Sequence, residues 1–525
     1  TPVGLWYAAQ AVNDPAFTAK VEAHARKLLT DPAYVHPAGY FIERGGIDTG
    51  FGGQANGFAV WAALASGWDF ARATVARHYR LRAHLDLPEP DGAHTGPTAF
   101  NARIGTAVYD DQWGNEGMRD FGAAMLMDEA LYICALPTPD VLAGAAAKRA
   151  GWCNGQLEGG IANPVHLDAQ GRGHSLVNDD IRSSPWRRLM WQNWQFPLSL
   201  NASYEYYQPG TYARRQALIQ ANSPLLKSPF LRGETFLRDF AGTFFVARQP
   251  TYAAIVHAGP VGRQRPDDGL AQFPGPLGFG GGQLAAFWTP EAGTILQTRR
   301  SAVNWDKTMD KPEEWRNLPL HAVSGVTADG KTFTSGRIAD PVVTSEVKGA
   351  VGKVTVTGMI STDPRAINQA VTGTIGYART FDIGKKSVRV ETTVTPDDAP
   401  LAELYETLPV FHREAGSHPS ATAPIQGTNV AATIEFQVAG KWLPASIEPR
   451  AKVTAIRIAR FKGAVTITFD GPQRAKLSPA EWQDAYLSRS AARVVLIDLL
   501  GEDGKAAPGK PIKVAYTIAA SAPDK

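Results

Sequence analysis

The boundary between two kinds of sequence lies at residues 234–259, which read ETFLRDFAGTFFVARQPTYAAIVHAG. Apolar and aromatic residues are dense here, and Gln249-Pro250 supplies a turn, so we expect a strand pair over 236–247 and 251–258. Beyond this boundary, short alternating segments such as 388–394 and 465–469 recur between turn signals. That pattern predicts stacked antiparallel sheets.

The sequence before the boundary follows a helical period. Apolar residues recur every three or four positions in six segments, namely 13–30, 53–86, 115–134, 138–152, 186–207 and 211–221. About six or seven helices with short connections suit an incomplete helical toroid. The predicted fold is multidomain α + β, with an incomplete α/α toroid over 1–225 and antiparallel β-sandwich sheets over 234–525, divided in two near residue 400 if there are sub-domains.

Composition limits the classes of function. A chain of 525 residues with 44% hydrophobic and 20% charged residues is expected to form two or three globular domains. The net charge of +3 argues against a strongly basic nucleic-acid binder. No apolar run reaches the roughly 18 residues that a membrane-spanning helix requires. Cys134 and Cys153 can pair or stay free, and they are too few for a thiolate zinc site.

The first residues, 1–6, lack the basic start and apolar core of a signal peptide. A mature exported protein and a cytoplasmic protein would both look this way. We expect the exported form, which is periplasmic or secreted after removal of its signal peptide.

Residues 37–51 read PAGYFIERGGIDTGF and place acid, base and acid on a glycine-rich loop before a predicted helix. Asp48 can cap that helix, while Gly45 and Gly46 permit the close approach of a ligand. The structural alternative is that Asp48 is only a cap and that Glu43 and Arg44 form a surface ion pair.

A second polar segment spans residues 96–103, and residues 109–114 follow it. Asn101 and Arg103 are two positions apart, so on an extended chain they point to the same side. An amide and a guanidinium suit the binding of a carboxylate, because arginine presents a planar fork of donors. Trp113 would suit stacking on a sugar ring. The alternative is an internal pair between Arg103 and Asp110 or Asp111.

A third segment is rich in tyrosine. After Trp194, four tyrosines lie within nine residues, at Tyr204, Tyr206, Tyr207 and Tyr212. A tyrosine whose pKa is lowered by neighbouring cations can act as a base and then as an acid. The alternative for each is a core position with its hydroxyl bonded.

The histidines are scattered along the chain. His257 lies on a predicted strand, and His412 and His418 flank a predicted turn. His94 and His174 lie in loops of the helical part that could line the rim of a cleft. A single histidine is more often structural than catalytic. The sequence contains no HExxH motif, phosphate-binding loop or nucleophile elbow, and residues 278–282 indicate a tight bend between strands.

With these segments in view, the chain resembles the polysaccharide lyases built from an α/α toroid and antiparallel β-sheets, of the heparinase II/III-like, alginate and glucuronan lyase type. The order of the two parts carries the resemblance, together with GGIDTGF at residues 45–51, which looks like the Gly/Asp/aromatic loop before a toroid helix. Phe51 stands at a place where those enzymes often have tyrosine.

The resemblance implies β-elimination on an anionic, uronate-containing glycan. Asn101 and Arg103 would hold the uronate carboxylate, and Tyr207 would act as base or acid with His257 or His412 as its partner. Six further residues would bind substrate: Asp48, His94, Trp113, Trp194, Tyr204 and Tyr206. No cofactor is expected, although a structural calcium or zinc ion near His412 and His418 is left open.

Two other functions fit the same layout. A glycoside hydrolase would need two carboxylates across the scissile bond, and Asp48, Asp111, Glu116 and Glu205 could supply them. A non-catalytic glycan-binding protein would use the same aromatic residues for stacking alone.

Overall fold

The computed structural model describes the helical N-terminal part, most of the β-rich part and short pieces between them. The described residues are 2–43, 45–90, 94–101, 166–167, 173–174, 228–260, 262–263, 276–299, 315–338, 340–360, 374–397, 400–414, 430–483, 490–501, 504 and 506–521. The four predicted helices between 115 and 221, Cys134, Cys153 and His418 lie outside them.

The described helices all belong to the N-terminal part. They are α1 Pro2–Val12, α2 Pro15–Thr30, α3 Thr49–Ser66 and α4 Asp69–Leu85. Asp14 caps α2 by accepting a hydrogen bond from the Ala16 N–H (2.9 Å), and Pro15 occupies the first helical position, where its missing N–H costs nothing. The predicted helices at 13–30 and 53–86 agree with α2 and with α3 and α4. None of these four helices is long and apolar enough to cross a membrane.

Helix α1 was not predicted from the sequence. Its residues, PVGLWYAAQAV, are almost all apolar, so they show no contrast between a polar and an apolar face. The four helices pack around a shared apolar core that includes Val21, Leu29, Val60 and Val75.

Short hairpins follow the helical turns. They are β1 Ile42–Glu43 with β2 Gly46–Ile47, β3 Leu87–Pro88 with β4 His94–Thr95, and β5 His166–Leu167 with β6 Gly173–His174. His94, expected in a loop, therefore belongs to a hairpin.

The next strands begin the β-rich part. They are β7 Phe236–Phe240, β8 Phe244–Arg248, β9 Ala253–His257, β10 Gly262–Arg263, β11 Pro276–Leu277, β12 Gln283–Thr289, β13 Gly293–Gln297, β14 Ala322–Thr327 and β15 Thr332–Thr334. The single strand expected over 236–247 is two strands, because Ala241 and Gly242 adopt positive φ and reverse the chain.

The remaining strands follow a 3₁₀ turn at Ser335–Arg337. They are β16 Val342–Lys348, β17 Val351–Met359, β18 Ile375–Ile383, β19 Ser387–Pro396, β20 Leu401–Glu414, β21 Thr433–Val438, β22 Lys441–Pro444, β23 Arg450–Arg460, β24 Gly463–Leu477, β25 Trp482–Gln483, β26 Ser490–Asp498 and β27 Ile512–Ser521. The alternating segments 388–394 and 465–469 lie within β19 and β24, as expected.

These strands are joined by antiparallel pairs into two layers. The central sheet has the order β7-β8-β9-β12-β13-β20-β14. The outer sheet has the order β16-β17-β18-β19-β27-β24-β23-β21. Strand β26 links the layers, because it pairs with β20 and with the last residues of β24.

Burial differs between the two sheets. Along β19 of the outer sheet every second residue is buried, so one face meets solvent and the other packs inward. Strands β8, β9, β12 and β13 of the central sheet are buried at every position. One face of the central sheet, with Phe245 and Val256, packs on the outer sheet, and the other, with Phe244 and Ile255, packs on the helical part through Leu85.

The segment 86–101 ties the helical part to the central sheet. The Trp288 indole N–H donates to the Pro88 carbonyl (2.7 Å), and the Thr98 N–H donates to the Thr298 carbonyl (3.0 Å). Glu89 is buried between the Thr294 hydroxyl and the Arg460 guanidinium. Helix α4 therefore leads directly into a chain segment that lies against the sheet.

Candidate active site

The turn after α2 presents a histidine and a tyrosine side by side. The His36 N–H donates to the Tyr40 carbonyl (2.9 Å), and the Gly39 N–H donates to the His36 carbonyl (2.8 Å), which closes the turn. The rings of His36 and Tyr40 stack with centroids 4.5 Å apart and planes within 7°. The spacing of four residues thus places the two rings side by side.

This turn is fixed against α4. Gly39 adopts φ +108°, and a Cβ at this position would lie 2.5 Å from the Arg77 carbonyl oxygen, so only glycine fits. The Gly39 carbonyl accepts a hydrogen bond from Nδ1 of the buried His78 (3.2 Å). The His36–Tyr40 pair is therefore mounted on a rigid helix rather than on a free loop.

Asp48 and Asn101 meet where this part joins the segment 86–101. Asp48 directly precedes α3, and its carbonyl accepts the Gly52 N–H (3.0 Å), which places it at the N-cap position. Its neighbour Ile47 forms a parallel bridge with Asn101. Backbone pairing thus brings together residues that lie more than fifty positions apart in the sequence.

His257 reaches the same region from the central sheet. It ends β9 on the face that packs against the helical part, and its ring stacks on Phe244 with centroids 4.7 Å apart. Phe100, the residue before Asn101, contacts the His257 ring edge-to-face at 5.4 Å. Two aromatic rings therefore hold the imidazole next to the Asn101 segment.

The bend at 278–282 packs against the segment that carries Asn101. The Phe279 N–H donates to the Ala99 carbonyl (2.8 Å), and Gly278 (φ +79°) approaches the backbone of Phe100 and Asn101 so closely that a Cβ would lie within 3.0 Å of both. Strand β12, which follows the bend, pairs Gln283 with His257. The tight bend expected from the sequence agrees with this geometry.

Burial sets the protonation states of these groups. Burial, and secondarily the proximity of His36, lowers the pKa of His257 to about 3, so its imidazole is neutral at neutral pH. Burial also lowers the pKa of His36. Burial raises the pKa of the Tyr40 phenol, which therefore keeps its proton. The site combines two neutral imidazoles with a protonated phenol.

Exposure divides the cluster into two layers. His36 and Tyr40 are partly exposed, whereas His257, Asp48 and Asn101 retain 4%, 1% and 0% of their accessible surface. A ligand arriving from solvent would meet the His36–Tyr40 pair first. The more deeply buried groups lie behind it, in contact with the central sheet.

The structure brings three sequence-predicted residues, Asp48, Asn101 and His257, to this junction. His94 lies on β4, in backbone register with Pro88. His412 lies on β20, where its Nε2 is 3.7 Å from the Glu481 carboxylate. Six others lie outside the described residues: Arg103, Trp113, Trp194, Tyr204, Tyr206 and Tyr207.

The sequence interpretation missed His36 and Tyr40. The signal was present in His36-Pro37-Ala38-Gly39-Tyr40, where proline and glycine make a turn and the two polar aromatic residues flank it. The interpretation considered the Glu43–Asp48 stretch and did not include the turn at 36–40. Of the acids considered for hydrolysis, only Asp48 belongs to the described part, where its side chain is buried.

A fully buried polar network lies behind the bend. The Arg379 guanidinium donates to the Glu406 carboxylate (2.5 Å) and to the Gly282 carbonyl (3.0 Å), and the Tyr516 hydroxyl donates to Glu406 (2.7 Å). His321 accepts the Leu284 N–H at Nδ1 (2.9 Å), which leaves its Nε2–H to donate to the Tyr516 oxygen (2.6 Å). Each group is satisfied, so the network fixes both ends of the 282–284 backbone.

The described residues offer no cluster of three or more His, Cys, Asp or Glu side chains with the spacing of a metal site. The chemistry available at the junction is proton transfer and hydrogen bonding by imidazole, phenol and amide groups.

No known family model matches the sequence, and no curated protein matches it. Among solved structures, a mutant chondroitin AC lyase from Streptomyces coelicolor A3 is 14% identical over 98% of this chain and 59% of that one, with a TM-score of 0.41. A mutant heparan sulfate lyase HepC from Pedobacter heparinus is 10% identical over 100% of this chain and 69% of that one, with a TM-score of 0.35.

A smaller protein matches the chain in part. A galactose mutarotase-like protein from Clostridium acetobutylicum is 9% identical over 55% of this chain and 99% of its own length, with a TM-score of 0.30. Likenesses at this level of identity and superposition do not assign the chain to a family.

Proposed function

We propose that the protein is a polysaccharide lyase that cleaves a uronate-containing glycan by β-elimination. The observation that carries this proposal is the junction cluster, where His36, Tyr40, Asn101 and His257 come together from separate stretches of sequence. In this proposal the helical part forms an incomplete α/α toroid. The proposal also includes the exported location expected from the sequence.

The reaction requires three functions. A base removes the proton at C5 of the uronate, the bond from C4 to the glycosidic oxygen breaks, and a C4–C5 double bond forms. An acid then protonates the departing oxygen. The uronate carboxylate must be neutralised by hydrogen bonds or positive charge, because negative charge spreads onto it as C5 loses its proton.

The protonation states suggest how the cluster divides these tasks. Tyr40 keeps its proton at neutral pH and suits the role of acid, while neutral His257 has a lone pair and suits the role of base. The low pKa of His257 makes it a weak base in the free protein, and a bound carboxylate nearby would raise that pKa. His36 can donate a hydrogen bond to the glycan.

The remaining roles follow the sequence hypothesis. Asn101 and Arg103 are proposed to hold the carboxylate, and Tyr207 and His412 remain alternatives for the acid–base pair. The glycan would lie along a cleft lined by Asp48, His94, Trp113, Trp194, Tyr204 and Tyr206. Its acidic groups would suit the slight positive charge of the chain.

The products distinguish elimination from hydrolysis. Oligosaccharides released from polyglucuronate, alginate or glycosaminoglycans should be lighter by one water than hydrolysis products when analysed by mass spectrometry. Products that contain the added water would identify a hydrolase and refute the proposal. Absence of any product with all of these glycans would also count against it, provided that the purified protein is folded.

A further inference from the structure

A polar concavity lies on the β-rich part, on elements that do not contribute to the junction cluster. It has a volume of about 220 Å³ and is lined by Glu403 and Tyr405 of β20, Arg474 and Lys476 of β24, and Asp498 of β26. That volume would hold on the order of seven water molecules at ~30 Å³ each. The space suits a ligand of about the size of one sugar residue.

Strand pairing fixes the floor of this concavity. Tyr405 is opposite Asp498 on β26, and Asp498 is opposite Arg474 on β24, so three adjacent strands place these side chains in one row. Positions on strands are more rigid than positions on loops, which favours a preformed site. Tyr405 is largely buried, and burial, with the nearby Glu403 and Asp498 carboxylates, raises its pKa to about 12.

The charges in this concavity are unevenly paired. Glu403 accepts from Arg316 with a bidentate geometry that includes Nε at 3.0 Å, and Asp498 lies 3.4 Å from Arg474. Lys476 places its ammonium over the Tyr405 ring, 5.1 Å from the centroid, and no described carboxylate lies within ion-pair distance of it. The described lining thus holds two cations and two carboxylates, and Arg316, which lies outside the lining, already binds one of these carboxylates.

The half-buried Lys476 ammonium carries three hydrogen-bond donors, and the nearby carboxylates are already paired with arginines. The ammonium can therefore still donate hydrogen bonds to a ligand. The oxygens of Glu403 and Asp498 keep lone pairs for hydroxyl donors. One anionic group and several hydroxyls on a small ring would satisfy both sets of groups at once. An acidic sugar has this combination of groups.

We propose that this concavity is a binding site for a single carboxylate-bearing sugar residue, with the sugar carboxylate on Lys476 and Arg474 and its hydroxyls on Glu403 and Asp498. Such a site would hold a glycan chain end or side group away from the junction cluster. It goes beyond the proposed lyase function and does not require that any bond be cleaved.

Calorimetric titration of the full chain with D-glucuronate tests this site. A monosaccharide has no bond for a lyase to break, so binding is measured without turnover. The efficiency of small ligands predicts a Kd on the order of 1 mM. Lys476→Gln should weaken binding about tenfold or more, because it removes a charged donor. Lys353→Gln, which removes an exposed lysine on β17, should leave the affinity unchanged.

Two further ligands and one further variant define the outcome. Glucose, which lacks the carboxylate, and acetate, which lacks the hydroxyls, should each bind at least about tenfold more weakly than glucuronate. Tyr40→Phe should not affect the titration. Loss of binding in Tyr40→Phe with full binding in Lys476→Gln would place the sugar at the junction and overturn the inference. Equal binding of acetate, or no saturable binding of glucuronate, would overturn it as well.

Discussion

Tyr40 is the residue on which the proposed chemistry depends most directly. Its side chain is partly exposed, its ring stacks on His36, and burial of the phenol favours the protonated form. A phenol that keeps its proton through the neutral range can deliver it to a leaving oxygen. The neighbouring neutral imidazoles can take up or donate a proton in the same cycle.

Replacing Tyr40 by Phe should lower the rate of glycan cleavage by about 10²- to 10⁴-fold, because the ring is retained and only the transferable proton is lost. The measurement is the initial rate of product formation, with circular dichroism to verify the fold. The matched control is Tyr34→Phe, since Tyr34 is exposed and lies six positions away in the same chain segment. If both variants cleave at the wild-type rate, Tyr40 is not the acid.

The sequence predicted some of these residues and missed others for a physical reason. Asp48 was recognisable because helix caps follow local rules, and its position before α3 agrees. The approach of His257 to Phe100 depends on which face of β9 meets the helical part. Since β9 is buried on both faces, its sequence has no polar alternation to reveal that face.

At the scale of elements, the bend before β12 positions the Asn101 segment. Gly278→Ala should reduce activity at least about tenfold, because the new Cβ would lie 2.8 Å from the Phe100 carbonyl oxygen and push that segment away from His257. The measurement is the cleavage rate relative to wild type.

The control for this substitution is Gly330→Ala. Gly330 has a similar φ of +84°, but a Cβ added there would meet no atom within 4 Å, so only backbone strain of about 1 kcal/mol is added. Equal activities in the two alanine variants would show that the contact with Phe100 and Asn101 is unimportant.

The buried ion pair of Glu89 and Arg460 links the segment 86–101 to the end of β23 in the outer sheet, while Thr294 of the central sheet also bonds Glu89. Glu89→Gln should reduce the free energy of unfolding by about 3 kcal/mol, because it leaves the Arg460 guanidinium buried without its counter-charge. Urea denaturation measures this change. Glu22→Gln, which breaks the exposed pair with Arg26, should cost less than about 0.5 kcal/mol.

A double variant separates charge from packing. Glu89→Gln combined with Arg460→Met should recover part of the lost stability, because an apolar side chain does not need the counter-charge. If Glu89→Gln alone has no more effect than Glu22→Gln, the pair does not hold the segment in place.

At the scale of the whole molecule, buried histidines make stability depend on pH. Burial lowers the pKa of His78 and of His257 to about 3, whereas an unfolded histidine titrates near 6.5. Below pH 6.5 the unfolded chain therefore binds protons that the folded chain does not. Each such histidine should reduce stability by up to about 1.4 kcal/mol per pH unit as the pH falls from 6.5 towards 3.

His78→Asn isolates this effect, because asparagine can keep the hydrogen bond to the Gly39 carbonyl without titrating. Urea denaturation at about pH 7 and about pH 5 should show a smaller loss of stability in the variant than in the wild type. Buried carboxyls such as Glu89, whose pKa burial raises, act in the opposite direction in both proteins and cancel in the difference. Identical pH dependence would mean that His78 can be protonated in the folded state.

The order of helices before strands was the property of the described residues that the sequence predicted best. The described helices all lie within residues 2–85, and the strands of the two large sheets all lie within residues 236–521. The periodicity of the sequence indicates this order directly, because apolar residues recur at different spacings in helices and in half-exposed strands. The close packing of the segment 86–101 between the two parts was not predictable, since it rests on single contacts such as Trp288 with Pro88.

The most direct test of the central claim is the far-ultraviolet absorbance of polyuronate solutions during incubation with the purified protein. Elimination creates a C4–C5 double bond conjugated to the carboxylate, so the absorbance should rise with wild-type protein and with Tyr34→Phe, and hardly at all with Tyr40→Phe. New reducing ends without a rise in absorbance would contradict β-elimination. An equal rise with Tyr40→Phe would contradict the assignment of the reaction to the junction cluster.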